Sequence, residues 1–315
     1  MCNRQLKFPG KNFRVPFDQA LEKYEEAVRQ DPNDPAALAG LAEARINLWC
    51  YGFLPFDQSI PFAGNEAIKA VKLDDSLASA HMVLGIIRMA EWNWPAAEKE
   101  LKRAVELDPE HYKSRHWYAL YLSAMGSHEQ ALHQSEISVR LAGPSDSLIG
   151  YASILYFARK FDQMADLLEK ALHSEPDFAP VYDWLGMAYV QLGKYERSIA
   201  VYQKAVMLSD GLAEIKAGLG HAYGVAGRTD EARAILDEFR ELEKQHYIPP
   251  VQMAFVAFGL GETEPGFRLL GRAYRERSWE LVFLATEPWF DHLHNDPRFT
   301  DLVKKIGLTL KADNV

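Results

Sequence analysis

One spacing constrains this chain more than any other. The strings LEKYEEAVRQDPNDPAALAGLAEA (21–44), LKRAVELDPEHYKSRHWYAL (102–121) and LEKALHSEPDFAPVYDWLGM (168–187) share a grammar in which an alanine is followed five residues later by proline. A second helical pattern then begins beyond the proline. Units defined by this grammar start at 78, 112, 145, 179, 213 and 247, at intervals of 34, 33, 34, 34 and 34 residues. A chain that repeats itself at this period stacks copies of one small unit, each burying the face its neighbour exposes. An earlier unit, 35–77, is nine residues longer than the 34-residue period.

The columns of the repeat carry the packing logic. The eighth place reads Ala42, Gly85, Ala119, Ala152, Gly186, Gly220 and Ala254, small throughout, as the close crossing of two helices requires. Small residues also dominate the twentieth place (Ala63, Ala97, Ala131, Ala232) and the twenty-seventh (Ala70, Ala104, Ala171, Ala205, Ala273). Larger fillers such as Leu84, Tyr118, Leu185 and Leu219 stand beside them. Gly126, Gly193, Gly227 and Gly261 fall where the first helix must end in a left-handed residue. Pro32, Pro109 and Pro176 follow the second helices and stop them. The pattern resembles the tetratricopeptide repeat (TPR), two helices joined by a short turn. It implies an all-α, right-handed α-solenoid of about eight units.

The expected organisation follows the register. Residues 17–34 form half a unit, 35–77 the enlarged one, and 78–111, 112–144, 145–178, 179–212, 213–246 and 247–280 complete an array over 17–280. Residues 1–16 read as an extended arm with Arg4, Lys7, Lys11 and Arg14 and no acidic residue. The alternatives are a disordered tail or the stump of an upstream region, and an arm lying across the acidic body. Residues 281–315 leave the period and read as a cap, with Trp289, Phe290, Phe299 and Leu302 covering the apolar face of the last repeat.

The enlarged unit YGFLPFDQSIPFAGNEAIKAVKLDDSLASAH (51–81), the stretch EWNWPAAEKELKRAVELDPEHYKSRHWYALYL (91–122) and the cap EPWFDHLHNDPRFTDLVKKIGL (287–308) carry a narrower likeness. They resemble the C-terminal TPR region of bacterial signalling proteins built around a winged-helix domain, a Ser/Thr kinase or a nucleotide cyclase. The resemblance runs through most of 17–308 and implies a sensory or partner-binding array serving an output domain. Residues 1–16 are too short to hold such a domain, so the resemblance implies a chain that works alone or a piece of a longer one.

Composition narrows the partner. Lys and Arg number 35 against 44 Asp and Glu, a net charge of −9, which disfavours direct nucleic-acid binding. No apolar run approaches a membrane span and no signal peptide opens the chain, so the expected location is cytoplasmic. Cys2 and Cys50 form no disulfide framework.

In a TPR stack places 2, 5, 9 and 12 of each unit line the concave groove. Here they bring up Met82, Ile86, Met89, Lys113, His116, Leu120, Ile149, Ser153, Tyr156, Asp183, Met187 and His221. The alternative for the apolar members is packing between neighbouring helices. Met and aromatic surface suits adaptable peptide recognition, with His116, Tyr156, Asp183 and His221 fixing register. The expected ligand is a segment of a partner protein, basic or amphipathic given the acidic body, held without catalysis. A small-molecule sensor is the rival. The carboxylate clamp for chaperone C-termini is excluded, because place 5 carries no Lys and place 9 no Asn. No cofactor or metal is expected: His292 and His294 flank Leu293 without a third histidine, and phosphate loops and nucleophile elbows are absent. Trp94 falls in the turn column shared with Phe161 and Tyr195, where packing is its expected role.

Overall fold

A computed structural model of the chain describes residues 14–310, and for 144–146 the backbone alone. The described residues are helices and turns, with no strand among them. They group into two units, one holding 14–154 and 282–310, the other 155–281. The basic residues Arg4, Lys7 and Lys11 lie outside the described residues.

The first unit opens with α1 (Val15–Gln30) and α2 (Pro35–Cys50), followed by α3 (Phe56–Leu73), α4 (Ala78–Ala90), α5 (Trp94–Leu107), α6 (Tyr112–Ala124) and α7 (His128–Ala142). Helix α8 (Pro144–Phe157) crosses into the second unit, which continues with α9 (Phe161–Ala171), α10 (Ala179–Gln191), α11 (Tyr195–Leu208), α12 (Ala213–Val225), α13 (Thr229–Leu242), α14 (Pro250–Gly259) and α15 (Thr263–Glu276). Successive helices pack on one another, α4 on α5 and α5 on α6 in one unit, α10 on α11 and α11 on α12 in the other. Each unit is thus a stretch of helical solenoid.

Local chemistry sets the boundaries. Gly126, Gly193, Gly227 and Gly261 take φ between +64° and +78° and end the first helix of their pairs. Trp92 and Arg159 occupy the same turn with φ of 60° despite their Cβ atoms. At the other end of the pairs, Asp31, Asp74 and Asp108 follow second helices and accept the backbone N–H two residues on, at 2.9, 2.9 and 3.0 Å. Helix α1 begins two residues ahead of the expected boundary. Pro16 sits in its first turn, where a missing N–H costs nothing, and Arg14 pairs with Asp18 at 3.1 Å.

The enlarged unit spends its extra residues on longer helices and an aromatic turn. Phe17, almost fully enclosed, meets Tyr51 at 4.7 Å and Phe53 at 5.6 Å between ring centroids. The insertion therefore packs over the start of α1.

Small columns mark close crossings. A Cβ on Gly85 would fall 2.6 Å from Leu101 Cγ, and one on Gly186 2.5 Å from Tyr202 Cε2. Contact at that range is impossible without displacement, so the larger residue of the pair defines the smaller one.

After α15, 3₁₀ turns at Trp279–Phe283 and Pro288–Leu293 lead to α16 (Pro297–Lys305). Pro288 and Pro297 stand at first helical positions, with Glu287 and Asp296 capping the backbone ahead of them. Trp289, Phe290, Phe299 and Leu302 are buried, and Phe290 meets Phe299 at 5.8 Å. Residues from 282 onward belong to the first unit. The Trp94 indole N–H, at the start of α5, donates to the Ile306 carbonyl at 2.8 Å. Trp94 is buried as its turn column predicts, and it also anchors a segment 212 residues away.

Candidate functional site

The first helices of the pairs carry the positions singled out from the repeat. In the first unit, Met82, Ile86 and Met89 on α4 have no exposed surface, and Leu120 on α6 is buried. Lys113, His116 and Ile149 keep part of theirs. Lys113 does not stand free: its ammonium pairs with Glu43 of α2 at 3.2 Å, joining two first helices. Ser153 donates its hydroxyl to the Gly150 carbonyl one turn back, at 2.8 Å.

His116 lies against Gly150, where an added Cβ would stand 2.8 Å from both Cε1 and Nδ1 of the ring. The glycine makes room for the imidazole. Burial penalises the charged ring and pushes its pKa from 6.5 down to about 3, so His116 is neutral across the physiological range.

In the second unit Tyr156 is fully enclosed. It makes edge contacts with Phe157 at 5.5 Å, Phe161 at 5.9 Å and Trp184 at 5.8 Å. It therefore acts first as an aromatic packing centre joining α8, α9 and α10. Met187 is half-buried on α10. His221, also buried, uses Nδ1 to donate to the Phe255 carbonyl at 2.9 Å, tying α12 to α14. The carbonyl can only accept, so Nδ1 carries the proton of that bond.

The notable electrostatic feature of this unit is a pair of carboxyls. Asp183 on α10 is 9% exposed, and Glu214 stands on the neighbouring first helix α12. Burial raises the Asp183 carboxyl well above its usual range, and the charge of Glu214 raises it further. Burial also lifts Glu214 to about 7. Among the described residues neither carboxylate has an ion-pair partner or hydrogen-bond donor. Elsewhere in the chain, enclosed carboxylates are matched: Glu43 by Lys113, Glu66 by Arg45 at 3.1 Å, and Glu100 by His81 at 2.7 Å. Glu214 falls at place 2 of its unit and Asp183 at place 5 of the unit before. Reading the places one unit at a time does not bring them together; laying successive units side by side would have done so.

Among the described residues no group of three or more His, Cys, Asp or Glu side chains is placed to hold a metal ion. No described helix is long and apolar enough to cross a membrane.

Tetratricopeptide-repeat models match residues 17–47 and 179–210. Among curated proteins, the transcriptional regulator HilA of Salmonella typhimurium is 23% identical over 289 residues, covering 91% of this chain and 50% of that protein. HilA of Salmonella paratyphi A matches to the same extent. The chain thus spans about half the length of the curated relatives it matches. Among solved structures, the Cut9–Hcn1 hetero-tetramer of the APC/C matches with a TM-score of 0.59 at 16% identity, over 92% of this chain and 52% of that one. A tetratricopeptide repeat protein from Parabacteroides merdae matches with a TM-score of 0.57 at 14% identity, over 78% and 93%. The pilus biogenesis factor PilW matches with a TM-score of 0.53 at 13% identity, over 67% and 94%. At these identities the structural likeness is one of fold, and the fold is that of a TPR protein.

Proposed function

We propose that this TPR chain is a non-catalytic scaffold whose first helices receive a segment of a partner protein, and that it forms the regulatory part of a signalling or transcription system. The first half follows from the class: tetratricopeptide repeats mediate protein–protein interaction, and this fold recurs in the Cut9–Hcn1 assembly. The observation that carries the reading is the make-up of the first-helix row. In the first unit, Lys113, His116 and Ile149 keep surface among otherwise buried neighbours, mixing apolar area with polar groups of fixed orientation. Such a surface binds through apolar burial and selects through its few polar contacts. The regulatory half rests on the match to one half of a transcriptional regulator. A cytoplasmic setting suits both.

Affinity capture from a lysate of the source cells tests the scaffold. Wild type is compared with an Ile149→Asp variant of equal melting temperature. Proteins retained by wild type and lost by the variant support the first-helix surface. Equal retention by both refutes it, and retention of no protein by either moves the function to a small-molecule sensor.

A further inference from the structure

Helix α1 is a second helix by its register, and only one of its sides is covered. Its Tyr24 ring lies against Gly40 of α2, and Glu25 pairs with Arg45 of α2 at 3.2 Å. Ala20 and Ala27 hold the twentieth and twenty-seventh places of the repeat and are only half-buried. In later second helices the same two places have no exposed surface: Ala63 and Ala70 on α3, Ala97 and Ala104 on α5, Ser198 and Ala205 on α11. Each of those helices packs on a first helix ahead of it, α3 on α2, α5 on α4 and α11 on α10. Among the described residues no first helix precedes α1. Its alanine edge is therefore a helix face without a partner.

We infer that this face binds the same face of a second copy of the chain, α1 against α1 in antiparallel register. Ala20 and Ala27 stand about two turns apart on one side of the helix. Gln19, Lys23, Glu26 and Gln30 run beside them at helical spacing, all exposed. That edge is self-complementary. With the second helix reversed, Ala20 falls opposite Ala27 of the other copy, Lys23 near its Glu26 and Gln19 near its Gln30. A two-fold axis repeats every one of these contacts, so no charge on the edge faces its like. A parallel pairing would set Lys23 against Lys23 and Glu26 against Glu26. The alanines let the two axes come to the short end of the usual range of about 8–10 Å. Glu26 accepts from Arg29 and Gln30 of its own helix at 2.8 Å, and exposed contacts of this kind exchange at little cost. A pair of 16-residue helices makes a small interface, which suits a weak, reversible dimer. The inference uses an edge of a second helix and is independent of the first-helix surface proposed above.

Sedimentation equilibrium of the full chain, from about 1 μM to about 500 μM, tests the dimer. The apparent mass should rise with concentration from 35.7 kDa toward twice that value. Lys23→Glu and Glu26→Lys each make both flanking contacts repulsive, and each alone should weaken association at least about tenfold. The two single variants mixed in equal amounts should associate again, because every Glu of one then faces a Lys of the other. Lys23→Glu/Glu26→Lys in one chain should associate as wild type does, for the same reason. Ala20→Glu should leave a monomer. Lys23 and Glu26 are exposed, so the charge variants should keep the wild-type melting temperature even where Ala20→Glu does not. A wild-type chain that stays monomeric throughout, or a dimer indifferent to the single charge variants, overturns the inference. So does a mixture of the two that associates no better than either alone. Lysate capture reads the other surface, so either result stands without the other.

Discussion

Tyr202 is held between two glycines, and this arrangement makes a sharp prediction. Its ring, on α11, has no exposed surface. A Cβ on Gly186 of α10 would fall 2.5 Å from Cε2, and a Cβ on Gly218 of α12 would fall 2.4 Å from Cε1. Both edges are therefore blocked, and the ring cannot withdraw from one added methyl without striking the other helix. Overpacking a core site costs about 1–3 kcal/mol, and the closed geometry places Gly186→Ala near the top of that range. Replacing glycine by alanine inside a helix returns about 1 kcal/mol of propensity. The expected net loss is about 2 kcal/mol, or roughly 4–8 °C for a unit of this size. Urea denaturation followed by circular dichroism reads it for Gly186→Ala, Tyr202→Leu and the pair together. Tyr202→Leu alone should cost ~2–4 kcal/mol through the space it leaves. In the double variant the new methyl occupies part of that space, so the combined loss should fall short of the sum by at least about 1 kcal/mol. Additive losses, or a Gly186→Ala protein as stable as wild type, would refute the wedge.

Two further predictions concern the first unit. The folded pKa of His116, about 3, lies below its ordinary 6.5, so the stability it confers is complete above about 6.5 and declines as pH falls through that value toward 3. Between about pH 7.5 and pH 5 this group alone would cost at most about 2 kcal/mol, and about 1 kcal/mol is expected for a ring that keeps part of its surface. Urea midpoints at the two pH values should separate further in wild type than in His116→Gln; equal separations would exclude His116 as the source. Trp94→Phe keeps an aromatic ring but removes part of the buried indole and leaves the Ile306 carbonyl without its donor, for a loss of at least about 1–2 kcal/mol. Hydrogen exchange should quicken over residues 297–308, and unchanged protection there would show that other contacts hold the cap.

What could be read from the residues alone was whatever repeats or acts locally. The small eighth-place column, the turn glycines and the prolines beyond the second helices are chemistry within a few residues, recurring at the 34-residue period. They specify helices, turns and nearest-neighbour packing before any coordinate is known. Tertiary structure decided what depends on enclosure and on distant contact. Met82, Ile86 and Tyr156 fall at groove places in the repeat, yet their exposure depends on every neighbour around them, and in the fold they have none. The period relates a residue to its counterpart one unit away, so it could not pair Trp94 with Ile306 across 212 residues. Nor could it foresee that Glu43 meets Lys113, or that burial above all raises the Asp183 carboxyl, with the charge of Glu214 adding to it. Ionisation is set by desolvation and by the nearest charges in space, neither of which the order of residues records.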